Sequence, residues 1–151
     1  MARILVGIDG SEAAAGAAKV AAGLARRLGD SLTLACVVPP TSPDGGLPAF
    51  LDAERLWQAQ FANAEHLLQK IAAELAQPGL TIQTQSLGGH AAASLEELSR
   101  EADVELVVVG SHGLNPVERA LLGSVASRLI RTCTRPVIVV PPPVWRSRGA
   151  A

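Results

Sequence analysis

Five short apolar runs along the chain alternate with four longer segments in which apolar residues recur every three or four positions. The short runs, rich in valine, leucine and isoleucine, occupy residues 3–9, 31–38, 80–87, 104–109 and 136–140. Runs of this length indicate buried strands, and the longer period indicates helices. Because helical crossovers join parallel neighbours, the alternation predicts an α/β fold with one open, mostly parallel sheet. We expect helices on both faces and the strand order 3-2-1-4-5.

Each predicted helix has a start or stop signal and one apolar face. Ser11 is placed to cap the first helix, Gly29-Asp30 to end it, and Pro78-Gly79 to end the second. The third is expected from Ala91 to Ala102 and the fourth from Gly123 to about Cys133. The apolar positions expected to face the sheet, from the first helix to the fourth, are Ala13, Ala17, Val20, Leu24 and Leu28; Trp57, Phe61, Ala64, Leu68, Ile71 and Leu75; Leu95 and Leu98; and Val125, Leu129 and Ile130.

Three other segments depart from the regular alternation. Residues 80–87 alternate apolar and polar, which predicts a strand near a sheet edge with one wet face. Proline and glycine residues between Pro39 and Pro48 predict the longest loop. The Pro-rich, basic tail at 142–151 is expected to be disordered, which leaves a single domain over residues 1–141.

The composition narrows the partners that the chain can take. Thirteen basic and fourteen acidic residues give a net charge of −1, and only 3% of the residues are aromatic. The chain therefore lacks both the net positive charge and the aromatic side chains that nucleic-acid binding commonly uses. No apolar run reaches the ~18 residues of a membrane span, and residues 1–9 are typical of a strand rather than a signal peptide. Cys36 and Cys133 lie in no metal-ligand spacing, so we expect reduced thiols in a cytoplasmic protein.

The segment after the fourth strand carries the strongest chemical signal. The strand runs into Gly110, Ser111-His112-Gly113 follows, and Gly123-Ser124 opens the last helix. Glycines let the backbone approach an anion, and a helix N-terminus points unpaired N–H groups at it, so this order predicts a seat for phosphate. The GxxxxGK[ST], GxGxxG, GxSxG and HExxH patterns are absent. A P-loop NTPase, a dinucleotide on the first helix, a serine hydrolase and a zinc protease are thereby disfavoured.

A second loop is expected to face this segment. In a doubly wound sheet, ligands bind beyond the carboxyl ends of the strands, where the strand order reverses. The first and fourth strands flank that reversal. Residues 7–11, from Gly7 through Asp9 to Ser11 at the end of the first strand, are therefore expected opposite residues 110–113 across one crevice.

The chain resembles the universal stress protein family, in particular its nucleotide-binding branch. Residues 4–11 resemble the family's opening strand and turn, 107–130 its most diagnostic block, and 136–140 its closing strand, so the resemblance spans the whole chain. The branch is marked by a Gly-x2-Gly-x9-Gly-Ser/Thr pattern. The residues that match it are Gly110, Gly113, Gly123 and Ser124.

His112 departs from this resemblance, because the family often has arginine or lysine at that position. A fixed positive charge beside the phosphates would then be missing at neutral pH, unless the phosphate itself protonates His112 or the charge comes instead from Arg119 or Arg128. We expect His112 to be a solvated loop residue near the phosphates, and Glu118 with Arg119 to be a solvated pair. His66 and His90 are expected at the surface.

The resemblance implies an ATP-binding, usually homodimeric cytoplasmic protein, induced under stress, of flavodoxin-like or adenine nucleotide alpha hydrolase-like fold. Asp9 would contact the ribose, and Val37 would hold the adenine edge through its backbone. Ser124 would also help to hold Mg²⁺ with the nucleotide. The residues expected around the phosphates are Gly110, Ser111, His112, Gly113, Gly123 and Ser124.

Several alternatives stay open at this point. Asp9 and Ser124 are also typical helix caps, and Gly110 and Gly113 typical turn residues. Cyclic AMP and AMP fit the same motif as ATP. A nucleotide-dependent sensor or regulatory module is favoured over a slow ATPase, or an enzyme that phosphorylates itself on Ser111 or Ser124, because no paired base is evident.

The last strand predicts self-association. Residues 136–140 are apolar throughout and are expected at an edge of the sheet. A bare apolar edge invites pairing with a second copy of itself. We therefore expect a homodimer through these residues.

Overall fold

The computed structural model describes residues 1–40, 53–114 and 121–142, and in these the predicted alternation of strands and helices is confirmed. The strands are β1 (Arg3–Ile8), β2 (Ser31–Val38), β3 (Ile82–Gly88), β4 (Val104–Gly110) and β5 (Val137–Val140). The helices are α1 (Glu12–Leu28), α2 (Ala53–Leu75), α3 (Ala91–Ser99) and α4 (Ser124–Thr132).

The five strands form one parallel sheet in the order β3-β2-β1-β4-β5, as predicted. Ile8 at the end of β1 lies opposite Cys36 of β2, and Val109 of β4 lies opposite Val139 of β5. The chain leaves β1 toward β2 on one side and enters β4 on the other. The strand order therefore reverses between β1 and β4, which is where an open α/β sheet leaves a crevice.

Two aliphatic cores cover the two faces of the sheet. One packs α1 and α2 against side chains such as Val6 and Leu34, and the other packs α3 and α4 against side chains such as Leu5 and Val107. The helices on the second face are short: α3 and α4 have nine residues each, against 17 in α1 and 23 in α2. The first residues of both helices contribute to the cleft described below.

The signals at the two ends of α1 act as predicted. The Ser11 hydroxyl accepts a hydrogen bond from the N–H of Ala14 at 3.2 Å, which caps the helix. Gly29 ends it in the left-handed region, at φ 75°. The third helix is shorter than predicted, because it stops at Ser99 rather than Ala102.

The predicted helix faces are only partly right. The buried face of α1 consists of alanines, whereas Leu28, in the last turn before the chain reverses, is 63% exposed. In α4 the buried stripe is Ala126 and Leu129, and Ile130, a further 100° around the helix, is 51% exposed. Leu95 and Leu98 of α3 are buried as predicted. Trp57 is 40% exposed, and it meets Phe61 edge to face.

The structure tests several of the other sequence predictions, and the rest concern residues outside the described ranges. β3 is an edge strand with a partly exposed face, and His66 and His90 are exposed, as predicted. Cys36 is buried and Cys133 half-buried, both as free thiols. No helix among the described residues is long and apolar enough to cross a membrane. The Glu118–Arg119 pair, most of the predicted 39–48 loop and the tail beyond Pro142 lie outside the described residues.

Candidate functional site

A cleft opens at the carboxyl ends of β1 and β4, between the starts of α1, α3 and α4. The space that it encloses, counted together with the solvent at its open mouth, is about 600 Å³. The structure brings all the sequence-predicted site residues to its wall. They are Asp9, Val37, Gly110, Ser111, His112, Gly113, Gly123 and Ser124.

Asp9 stands exposed at one side of the cleft and is held by its own turn. One carboxylate oxygen, Oδ1, accepts hydrogen bonds from the Ser11 N–H at 2.9 Å and the Ser11 hydroxyl at 2.5 Å. The other, Oδ2, lies 3.0 Å from where a Cβ on Gly113 would stand. The cap of α1 is Ser11, so Asp9 supports the cap through Ser11 and presents Oδ2 toward the glycine loop.

Gly110 is required by packing inside the protein. A Cβ at this position would lie 2.7 Å from the carbonyl carbon and the Cβ of Ala13, and 2.9 Å from the nitrogen of Ala14. The first turn of α1 thus rests directly on the end of β4. The sequence interpretation, in which a missing Cβ makes room for phosphate, does not account for this contact, because the space is filled by the backbone of α1.

Gly113 and Gly123 bring two backbone segments together at the opposite side of the cleft from β2. The N–H of Gly123 donates to the carbonyl oxygen of Ser111 at 2.7 Å. A Cβ on Gly123 would lie 3.1 Å from that oxygen and 3.2 Å from the Cα of His112. Gly123 is the N-cap of α4, so Ser124 is its first residue, and Ser124 and Val125 line the cleft.

The start of α4 gives this side of the cleft a positive electrostatic character. The first N–H groups of any helix have no partner within the helix, and the macrodipole adds partial positive charge. Ser124 adds an exposed hydroxyl. An anion placed between Gly113 and Ser124 would therefore meet backbone donors without help from a basic side chain.

His112 is buried, and the expectation of a solvated loop histidine is wrong. The side chain is 5% exposed and lies between two partners. Its Nδ1 is 2.8 Å from the Ser111 hydroxyl, and its Nε2 bonds the carbonyl oxygen of Leu121. Because a carbonyl only accepts, Nε2 carries the proton, and Nδ1 accepts from Ser111 in the neutral ring. Sequence periodicity carries no signal for such a contact between residues nine positions apart.

Arg128 does not supply the charge expected of it. Its guanidinium faces Glu96 of α3, with Nη2 3.9 Å from a carboxylate oxygen, and the side chain is outside the cleft wall. Among the described residues that line the cleft there is no lysine or arginine. No group of three or more His, Cys, Asp or Glu residues in the described part of the chain is arranged to hold a metal ion.

The inner wall of the cleft combines Gly7, which is among the residues expected at the crevice, with Ala35 and Ala91, which sequence reasoning missed. Gly7 of β1 lies under Leu95 of α3, and a Cβ on Gly7 would stand 2.8 Å from a Leu95 methyl carbon. Ala35 and Ala91 complete this apolar wall beside Val37. The close contact between Gly7 and Leu95 had a signal in the sequence, because a glycine inside a buried strand often marks a close approach of another group.

Cys36 lies behind the cleft, on the opposite face of the sheet from Val37. Burial raises the pKa of its thiol, and the negative charge of Asp9 raises it further. The thiol is therefore held protonated, and it contributes no charge to the site.

Comparison with known proteins identifies the family. A profile of the universal stress protein family matches residues 1–141. The chain belongs to this family. A universal stress protein from Methanocaldococcus jannaschii is 33% identical over 141 residues, which cover 93% of this chain and 82% of that protein. The chain spans about half, 47%, of the length of the universal stress proteins that it matches in Mycobacterium bovis and Mycobacterium tuberculosis.

Solved universal stress proteins share the fold. UspA from Lactobacillus plantarum superposes with a TM-score of 0.81 at 26% identity, covering 92% of this chain and 97% of that one. A universal stress protein in complex with cAMP has a TM-score of 0.70 at 28% identity, covering 93% and 97%. Membership of the family and the strand order of this sheet are thus established together.

Proposed function

We propose that this universal stress protein domain binds an adenine nucleotide, ATP in particular, in the cleft between β1 and β4. It would act as a cytoplasmic, nucleotide-dependent regulatory module of the stress response. One observation carries the proposal: an exposed carboxylate at Asp9 and the backbone donors at the start of α4 face the same cleft across an apolar wall. A nucleoside phosphate has the matching order of base, sugar diol and anion.

Each part of the nucleotide has a counterpart in the cleft. The ribose hydroxyls would donate to Asp9 Oδ2, since Oδ1 is occupied by Ser11. The adenine would rest on the apolar wall beside Val37, whose backbone groups stand at the end of β2. The phosphates would accept hydrogen bonds from the backbone at Gly113 and from the N–H groups of Ser124 and Val125.

Magnesium would enter with the nucleotide. Mg²⁺ is commonly held by substrate phosphates and only one or two protein oxygens. The exposed hydroxyl of Ser124 is the donor that fits, beside the expected phosphate position. The ion would neutralise part of the charge of ATP, in a cleft wall whose described residues include one carboxylate and neither lysine nor arginine.

Cyclic AMP and AMP are the competing ligands. The relative solved with cAMP, at 28% identity, supports an adenine nucleotide as the class of ligand. A single phosphate would already satisfy the donors at the start of α4. The thermal-shift series described below ranks these ligands.

Regulation through the nucleotide also fits the position of His112. A base for rapid hydrolysis needs a ring nitrogen directed at the attacking water. Both ring nitrogens of His112 are hydrogen-bonded inside the protein. Ser111, one candidate for self-phosphorylation, is 4% exposed. These contacts favour a binding module over the alternative of a slow ATPase or autophosphorylating enzyme.

The proposed assembly is a homodimer through β5. This strand pairs with β4 on one side and forms an edge of the five-stranded sheet among the described residues. Val137, Ile138 and Val139 are partly exposed there. Pairing of two such edges would cover these side chains and satisfy the outer backbone groups.

A thermal-shift titration tests the proposed function. Purified protein, freed of any co-purified nucleotide, is titrated with ATP and Mg²⁺, cyclic AMP, AMP and GTP. A ligand at 100 times its Kd stabilises the folded state by about 2.7 kcal/mol. We expect adenine nucleotides to raise the Tm, and Gly113→Val, which fills the space beside Asp9, to remove the effect. Unchanged Tm at millimolar concentrations of every adenine nucleotide would contradict the proposal.

A further inference from the structure

We propose that His112 is a positioning residue that sets the width of the phosphate seat, acting through the carbonyl of Leu121 rather than by touching the ligand. The inference rests on the proposed function, because it concerns the same cleft. It differs from a direct role in charge or catalysis, since it assigns His112 to the geometry of the backbone donors on either side of the anion.

The first observation is the path of hydrogen bonds through the ring. Ser111 donates its hydroxyl proton to Nδ1, and Nε2 donates to the carbonyl oxygen of Leu121. The ring is 5% exposed, so water competes little for these bonds. His112 thereby joins the two ends of the connection between β4 and α4. Its partner Leu121 lies two positions before Gly123, the N-cap of α4.

The second observation is a parallel tie between backbone groups. The N–H of Gly123 donates to the carbonyl oxygen of Ser111 at 2.7 Å. The N–H of Ser111 in turn donates to the carbonyl of Val140 at 2.8 Å. The segment that starts α4 is therefore held against the end of β4 by two hydrogen bonds. One joins Gly123 to Ser111 through backbone groups, and the other joins the His112 side chain to Leu121.

The third observation separates the two halves of the cleft. Asp9 is oriented by Ser11, through hydrogen bonds that do not involve the His112 ring. The two networks meet at one contact, in which the Ser11 hydroxyl donates to the backbone oxygen of His112 at 3.5 Å, and a substitution of the His112 side chain removes neither atom of that contact. Loss of the ring tie is therefore expected to loosen the phosphate seat and to spare the contacts to the sugar and base.

Two substitutions distinguish the two hydrogen bonds of the ring. In His112→Gln the longer carboxamide reaches the position of Nε2 and donates to the Leu121 carbonyl. In His112→Asn the shorter carboxamide reaches the position of Nδ1 and can pair with Ser111 but not with Leu121. A tie to Leu121 thus predicts that glutamine rescues binding and asparagine does not.

The experiment is a ligand titration monitored by NMR, a method that measures millimolar as well as tighter dissociation constants. The ligands are adenosine and the phosphorylated ligand that the parent binds most tightly among AMP, cyclic AMP and ATP with Mg²⁺. We expect His112→Asn to lower the affinity for the phosphorylated ligand about tenfold, which corresponds to the free energy of one hydrogen bond. Adenosine affinity should change by less than about twofold. His112→Gln should regain most of the loss.

A matched control and a second perturbation keep the test decisive if His112→Asn folds poorly. His66→Asn makes the same change at an exposed position on α2 and should alter neither affinity. Gly123→Ala places a Cβ 3.1 Å from the Ser111 oxygen, which pushes the start of α4 away from it. We expect the same loss for the phosphorylated ligand, with adenosine spared.

The outcomes separate this inference from the proposed function. Equal weakening of adenosine and of the phosphorylated ligand would overturn the positioning role and leave His112 as a general support of the fold. Retention of both affinities in the asparagine variant would overturn it as well. A parent protein that binds none of these ligands would overturn the proposed function, and this inference with it.

Discussion

Gly110→Ala is expected to destabilise the fold in the absence of any ligand. The new Cβ would stand 2.7 Å from two atoms of Ala13 and 2.9 Å from the nitrogen of Ala14, against 3.4–4 Å for ordinary contacts. Ala13 and Ala14 are both 3% exposed, so α1 must move as a unit against the sheet. Overpacking of this kind costs about 1–3 kcal/mol. In a domain of this size, each 1 kcal/mol lowers the Tm by about 2–4 °C.

The matched control is Gly23→Ala in α1, the helix that Gly110 contacts. Nothing lies within 4 Å of a Cβ at this exposed position, and alanine is favoured over glycine in a helix by about 0.5–1 kcal/mol. The assay is urea unfolding of ligand-free protein, followed by far-UV circular dichroism at one protein concentration. We expect a lower midpoint for Gly110→Ala and a higher one for Gly23→Ala. Parent-like stability of Gly110→Ala, with loss of nucleotide binding alone, would refute the packing role and restore the phosphate role.

Three further predictions concern the cap, the buried thiol and the edge strand. Ser11→Ala removes the cap of α1 and a partner of Asp9, so chemical unfolding should show a loss of about 1 kcal/mol, and titration a weaker affinity for adenosine. Burial and Asp9 raise the pKa of Cys36, so the stability due to its protonated thiol is lost as the pH rises above about 9; unfolding curves of Cys36→Ala should show a smaller alkaline decline. Val139→Lys places charge on the β5 edge and should shift the mass measured by light scattering from dimer toward monomer.

The architecture was predictable because the period of the apolar residues changes between strand and helix. The strand predicted at residues 31–38 has the same bounds as β2. The cap at Ser11 and the stop at Gly29 depend on local backbone chemistry, which a sequence carries directly. The position of the cleft followed from topology alone, since β1 and β4 flank the reversal of strand order.

The wrong predictions share a cause, because tertiary contacts determine the surroundings of the residues concerned. Leu28 and Ile130 have helical spacing, but they lie outside the narrow stripe that α1 and α4 bury. Gly110 carries a typical loop signal, yet its neighbour is the backbone of α1. His112 looked like a solvated residue, and its partner Leu121 was nine positions away. Each contact joins elements whose approach distance no local pattern encodes.

The most direct test of the account is where the amide signals of the 15.6 kDa protein move during a nucleotide titration. In ¹⁵N–¹H spectra, a phosphate seated at the start of α4 should shift the amide resonances of Gly113, Ser124 and Val125 most, and adenosine should leave them nearly unmoved. The resonances of Val37 should respond to both ligands. Shifts that cluster elsewhere, for example around Trp57 on α2, or that are identical for nucleotide and nucleoside, would contradict the phosphate seat.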